Sequence, residues 1–500
     1  MKKLVLGHEV AQHGDSSEKV ALWRIVLPFA ISGALALMPA PQGLAQHAWY
    51  FFSFFAGVVA ALVVEPIAVT AIGVIAISAT AALSKWILFS PGQLANPKFK
   101  VANESVKWAF SGFSNSTCWL VAGAFMFALA YKETGLGRRI ALYMVKLLGK
   151  SSLLVGYAVT FTELILAPFT PSNTARGAGT VFPVVVNIPG LFGSKPHDPS
   201  SKLIGNYVMW TAFAANTLTS SLFITGCAPN FLASGMIKQI IGINISYGQW
   251  FMSAAPVMLG LILTLPLISY FVNRPQLTDT SMVPAWASAE LKKMGAITRN
   301  EVILTVLVSI AILLWIFADE WFEGAIVAFM VISMLLILRV LTWEQMAKNH
   351  AAWTTLVLLA TLVAMASALD STGFIKWFAA MVGSHITGMS PLPTVMAVVA
   401  IYYLAHYFFS SLTAHTTAML PIMLGIIKTL PGIPVDRAAL ALAITTGIMG
   451  VVSPYATGAA LPYYNSGYLT SGEFWKNNII FAIIFMAAWV LIGVPILLYM

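Results

Sequence analysis

Apolar stretches long enough to cross most or all of a bilayer's hydrocarbon core recur from one end of the chain to the other, separated by short polar breaks. Residues 25–38, 67–83, 250–272 and 302–318 carry no charged side chain at all. Their hydrophobicity is near-continuous rather than alternating, so they predict helices and not the strands of a membrane barrel. The pattern predicts roughly eleven to thirteen passes, some of them broken, and we take about eleven transmembrane helices as the expectation. The fold class is therefore all-α, polytopic and membrane-embedded. Trp49, Trp86, Trp119, Trp250 and Trp475 stand near the ends of apolar runs, where indole rings favour the headgroup region.

Composition agrees, because 59% hydrophobic and 9% charged residues over 500 positions exclude an ordinary soluble domain. The net charge of +9 is scattered between the spans without a dense patch. It reports membrane orientation and gives no reason to expect a nucleic-acid partner. Cys118 and Cys227 lie in apolar surroundings and read as packing residues. Residues 1–19 are polar, include Lys2, Lys3 and Lys19, and lack the features of a cleavable signal, so they read as a cytoplasmic tail. A second polar stretch, residues 273–300, carries Arg274, Lys292, Lys293 and Arg299; it reads as a cytoplasmic loop between a first half, 20–272, and a second half, 301–500.

The halves resemble each other. An apolar run from Thr117 to Tyr131 is followed by Glu-Thr-Gly ending at Gly135, and one from Thr355 to Leu369 by Ser-Thr-Gly ending at Gly373. From Gly135 to Ser172 is 37 residues, and from Gly373 to Ser411 is 38. Those serines open Ser172-Asn173-Thr174-Ala175-Arg176 and Ser411-Leu412-Thr413-Ala414-His415, with Pro183 and Pro421 downstream. Each half then reaches a Gly, Thr and Pro cluster, residues 225–230 and 453–458. Lys132, Arg138, Arg139, Lys146 and Lys150 follow the first run, whereas the second offers only Asp370, Lys376 and His385. By the positive-inside rule these segments belong on opposite faces, which implies inverted repeats.

The most informative segment is residues 167–177, polar and broken by prolines between two apolar runs. Irregular backbone at membrane depth survives only where protein or a water-filled cavity satisfies it. Pro171 disfavours helix at Thr170, and Ser172 and Asn173 are residue types that cap a new helix. The expectation is a re-entrant helical hairpin whose tip offers hydroxyl, amide and backbone donors to a carboxylate. Arg176 and His415 are ionisable residues inside apolar segments, and they read as donors to the same anion. His406 reads as a packed, satisfied histidine; Glu163 reads as a proton carrier or as a partner for Arg176, and of the two a structural ion pair is favoured. Glu65 is assigned no role.

At these residues the chain resembles the divalent anion/sodium symporter family, and within it the bacterial citrate/succinate and tartrate/succinate antiporters. The likeness runs from Leu88-Phe89-Ser90 through residues 111–115 and 135–142 to the cluster at Pro454. It implies an elevator-type carrier with a homodimeric scaffold, and two hairpins whose Ser-Asn-Thr tips hold the substrate. Carried over, the first tip is Ser172, Asn173 and Thr174, and the second is Ser411 and Thr413. Leu412 stands where sodium-coupled members have Asn, which puts a second sodium site in doubt. The family's cation sites also use backbone near the later clusters, here Gly226 and Thr457.

The resulting expectation is an exchanger of citrate, succinate, malate or related anions in the bacterial inner membrane, with no cofactor. The alternative is a sodium- or proton-coupled dicarboxylate symporter. An intramembrane enzyme is disfavoured, since neither His-Glu-x-x-His nor Gly-x-Ser-x-Gly occurs.

Overall fold

The computed structural model describes residues 21–318, 320–385, 390–430 and 432–499. The expected N-terminal tail lies outside them. Among the described residues the regular elements are all helical, and the one strand-like contact is an isolated bridge between Ser151 and Asp279.

Seven of these helices are long and apolar enough to cross a bilayer, or eight if Val101–Ser114 and Ser116–Thr134, bent by 41°, form one span. Leu22–Leu37, Val69–Ala82 and Gly324–Ile337 are apolar but shorter. Polar and proline breaks divide the apolar runs, so a count by helix length falls below a count by hydropathy. The tryptophans divide as well. Trp86 is exposed, whereas Trp49 and Trp250 are buried and donate their indole N–H to main-chain carbonyls, Trp250 to Ser221 at 2.9 Å.

The elements follow the same order in the two halves. Ser116–Thr134 ends at Gly135 with φ 77°, and Leu136–Leu148, Ser152–Leu166 and the short 3-10 turn Ala167–Phe169 follow. In the second half His350–Ser371 leads through Gly373, φ 89°, to Phe374–His385, Pro391–Ala405 and the 3-10 turn His406–Phe408. Both glycines occupy the left-handed region that a side chain disfavours. The segment 273–300 is not a plain loop. It contains the helix Met282–Met294, which packs along Leu136–Leu148. Arg139, buried, holds its far end by pairing with Glu301 at 2.6 Å and donating to the carbonyls of Gly295 and Ala296. Near the surface Arg138 pairs with Glu290, whose carboxyl is held below its ordinary value by a hydrogen bond from Lys293.

Gly205–Leu222 forms the middle of the fold, with all 18 of its residues buried. It packs on Tyr247–Val272, on the hairpin arm Ser152–Leu166 and on Val435–Ile448 from the other half. In lipid the hydrophobic effect does not drive helices together, so close backbone approach matters more. Gly447 makes that approach. A Cβ there would stand 2.5 Å from the main-chain nitrogen of Ser221, so any larger residue would push the two halves apart. Two broken helices, one from each half, thereby meet at the centre.

Candidate substrate site at two hairpin tips

Each tip begins with a serine in extended backbone that caps the helix after it. Ser172 Oγ accepts from the amide of Ala175 at 3.1 Å, and Ser411 Oγ accepts from Ala414 at 3.4 Å. The first helical bonds match too, with Arg176 N to Ser172 O at 2.9 Å and His415 N to Ser411 O at 3.0 Å. A serine that accepts in this way keeps its own O–H as a donor. Among the described residues the hydroxyls of Thr174 and Thr413 make no hydrogen bond. These four residues are all half-buried, so four hydroxyl donors stand at two helix N-termini and can be reached.

Asn173, by contrast, is buried and engaged. Its amide donates to Thr457 Oγ1 at 2.9 Å, joining the first tip to the second half's cluster, and its carbonyl oxygen accepts from the amide of Thr174. Thr174 lies against Gly458, where a Cβ would come within 2.9 Å of its hydroxyl oxygen. Leu412, at the position in the second tip that corresponds to Asn173, is buried in the apolar core. Thr225, which precedes Gly226 as Thr457 precedes Gly458, is buried near the hydroxyl of Tyr247. The first tip is therefore bonded to the other half's cluster through Asn173, and Leu412 gives the second tip no such bond.

Arg176 departs from the expectation that its guanidinium grips an anion. It is fully buried and pairs with Glu163 at 2.6 Å, as the sequence reading of Glu163 anticipated. Its other N–H groups donate to the carbonyls of Thr170 (3.0 Å), Gly226 (2.8 Å) and Asn216 (3.3 Å) and to the hydroxyls of Thr219 and Ser220. All five N–H donors of a guanidinium are thus engaged by protein. The side chain fastens the tip to its cradle, and the Gly226 carbonyl, expected near a cation, faces this guanidinium. The cradle residues Asn216, Thr219 and Ser220 were not singled out from the sequence. Their signal is the polar run 216–221 inside an otherwise apolar segment.

His415 is buried between the rings of Tyr402 and Phe409 and faces His406, with Nδ1 to Nδ1 at 3.0 Å. His406 Nε2 lies 3.0 Å from the carbonyl of Ala456. A carbonyl only accepts, so His406 Nε2 carries a hydrogen and, in the neutral ring, its Nδ1 is the acceptor. His415 Nδ1 must then be the donor. This leaves His415 Nε2 with a lone pair, buried and without a partner. His406 is satisfied, as expected, but as one member of a relay.

A capped tip in each half, cradled by helices from both, is the geometry on which the comparisons bear. The sodium:sulfate symporter transmembrane region matches residues 19–499. The chain belongs to that family. Among its relatives, the citrate/succinate antiporter of Escherichia coli K12 is 43% identical over 482 residues, 96% of this chain and 99% of that protein. The L-tartrate/succinate antiporter of the same strain is 42% identical over 471 residues, 94% of this chain and 97% of that one. Among solved structures, the YdaH transporter of Alcanivorax borkumensis aligns with TM-score 0.56 at 13% identity, over 85% of this chain and 97% of its own. That likeness concerns the fold alone. Membership of the family together with the apolar helices makes this chain a multi-pass membrane transporter.

Proposed function

We propose that this protein exchanges small di- or tricarboxylates, such as citrate, succinate or malate, across the bacterial inner membrane. The observation that carries the reading is the set of four free hydroxyl donors, on Ser172, Thr174, Ser411 and Thr413, at two capped helix N-termini. Each helix N-terminus presents about half a positive charge, so the pair suits an anion with a carboxylate at either end. The names of the relatives, antiporters of citrate, tartrate and succinate, support the substrate class and the exchange mode.

In this reading Asn173, Thr457 and Gly226 shape the tips, and Arg176 holds the first tip in place rather than touching substrate. His415 supplies the one titratable contact. Its neutral form has no N–H to offer at Nε2, so a carboxylate there requires proton uptake by the relay. The matched order of elements supports two inverted repeats, and an elevator-type movement of a homodimer is the arrangement that we infer with them. Coupled symport is the second reading, suggested by the sodium:sulfate symporters after which the family is named. Leu412 favours exchange, because a sodium ion needs oxygen ligands and this side chain supplies none where sodium-coupled members have Asn.

The test is labelled succinate or citrate entering proteoliposomes with and without an internal dicarboxylate, in sodium-free buffer. Exchange is expected to outrun net uptake by at least about tenfold. Equal rates in empty and preloaded vesicles, or uptake that starts only when sodium is added, would decide for the symporter.

A further inference from the structure

Away from the tips, at the opposite end of Gly205–Leu222, lies a polar cavity of about 240 Å³. Lys202, Arg274 and Lys476 line it, with Glu473 as the only carboxylate and with amides from Asn206 and Asn273. Glu473 is already occupied. It accepts from the amide and hydroxyl of Thr470 with one oxygen and stands 3.7 Å from Lys202 with the other. Among the described residues Arg274 and Lys476 have no ion-pair partner. Three cations against one carboxylate leave the cavity with an excess of about two positive charges. The N-terminal ends of Gly205–Leu222 and Ser471–Ala488 open onto it and add to that excess, while the C-terminal end of Tyr247–Val272 works against it.

Two amides in its wall lack partners. The Nδ2 of Asn273 is buried with no acceptor, although its Oδ1 accepts from Asn477 at 2.9 Å. Asn206 is only 7% exposed and its Oδ1 has no donor. Turning that amide over places an N–H₂ at the same spot. Unsatisfied buried groups of this kind are costly, and the charge excess selects what would satisfy them.

We propose that this cavity binds a phosphate group, either free phosphate or the headgroup of an anionic phospholipid. A phosphate is compact and doubly charged when free, and it carries acceptors in every direction, which suits donors converging from three separate elements. Its seat joins the ends of helices that run on to the tips. Gly205–Leu222 carries Ser220, which holds Arg176, and on Ser471–Ala488 Asn478 donates to the carbonyl of Val451. Binding there stiffens the tip cradle from its far end. The inference does not depend on which anion the tips carry.

The experiment uses the full chain. Thermal unfolding in delipidated detergent is followed against inorganic phosphate at ionic strength held constant with chloride, and again in nanodiscs of phosphatidylcholine with and without phosphatidylglycerol. The variants are the double substitution Arg274→Gln with Lys476→Gln, and Lys202→Gln alone in case the double variant does not fold. Phosphate, or phosphatidylglycerol, is expected to raise the melting temperature of the parent protein, with the apparent phosphate affinity weakened at least about tenfold in the double variant and in the same direction in the single. A response to phosphate identifies the free ion, and one confined to phosphatidylglycerol identifies the lipid. No response in either arm, or one that the variants leave unchanged, overturns the proposal.

Discussion

Ser172 spends its hydroxyl oxygen on the amide of Ala175 and keeps its hydrogen for a ligand, and these two roles can be separated. Glycine is nearly as good a helix N-cap as serine, whereas alanine is not. Ser172→Gly should therefore leave thermal stability within a few tenths of a kcal/mol and weaken substrate binding by about 1.5 to 3 kcal/mol, the range for a hydrogen bond to a charged group. Titration of succinate by calorimetry or by competition would measure it, and unchanged affinity would remove the hydroxyl from the site. Arg176 behaves differently because its donors are used within the fold. Glu163→Leu strands a buried guanidinium, and the expected loss of stability is about 3 to 5 kcal/mol. The double variant Glu163→Leu with Arg176→Met should recover part of that loss, since neither charge is then left alone. A double variant no more stable than the single would argue against a structural pair.

The His406–His415 relay also makes a residue-scale prediction, in which pH is the variable. If a carboxylate meets Nε2 of His415, one proton is taken up with the substrate. Affinity should then rise as pH falls, by up to about tenfold per unit over the range where the relay is neutral without substrate. The slope should vanish in His415→Gln, which cannot take up a proton. A slope that survives this substitution would assign the proton to the substrate itself.

At the scale of elements, the two tips share their cap, their extended serine and the backbone bond after it, yet they differ in what their second and fifth residues can do. The first tip closes with Asn173 on Thr457 of the second half; the second tip has Leu412 in the core and makes no matching bond to the first half's cluster at Thr225. The charge asymmetry after the preceding helices predicts that the tips enter the membrane from opposite faces. Lys146 and Lys376 are both exposed. Single cysteines at these positions, in a background lacking Cys118 and Cys227, should react with an impermeant reagent from opposite sides. Reaction of both from one side would exclude inverted repeats.

For the whole molecule, the Glu163–Arg176 pair bears on why exchange should be favoured over net uptake. Arg176 contributes no net charge to an empty site, so the resistance to empty return must come from elsewhere. In the proposed exchanger, four hydroxyl donors and two helix N-termini would lose their partner when the substrate leaves. At roughly 1 kcal/mol for each hydrogen bond given up, the empty carrier faces a barrier several kcal/mol higher at membrane depth, and 1.4 kcal/mol already corresponds to tenfold in rate. In the proposed mechanism, this barrier underlies the tenfold or greater preference for exchange expected in sodium-free proteoliposomes.

Hydropathy and helix capping act over a few residues, so the chain alone determined the membrane class, the broken segment at residues 167–177, its counterpart opening at Ser411, and the serines that cap them. The correspondence between the halves was legible for the same reason, because spacing is a property of the chain. Which polar side chains spend their hydrogen bonds inside the protein was decided only when distant segments met. Asn173 reaches Thr457 across 284 positions, and the five N–H groups of Arg176 find six acceptors, on Glu163, on its own tip and on a cradle 40 to 50 residues away. An isolated reading of Arg176 sees a cation free to bind an anion. In the folded protein that cation is saturated, and the donors that remain free are the hydroxyls around it.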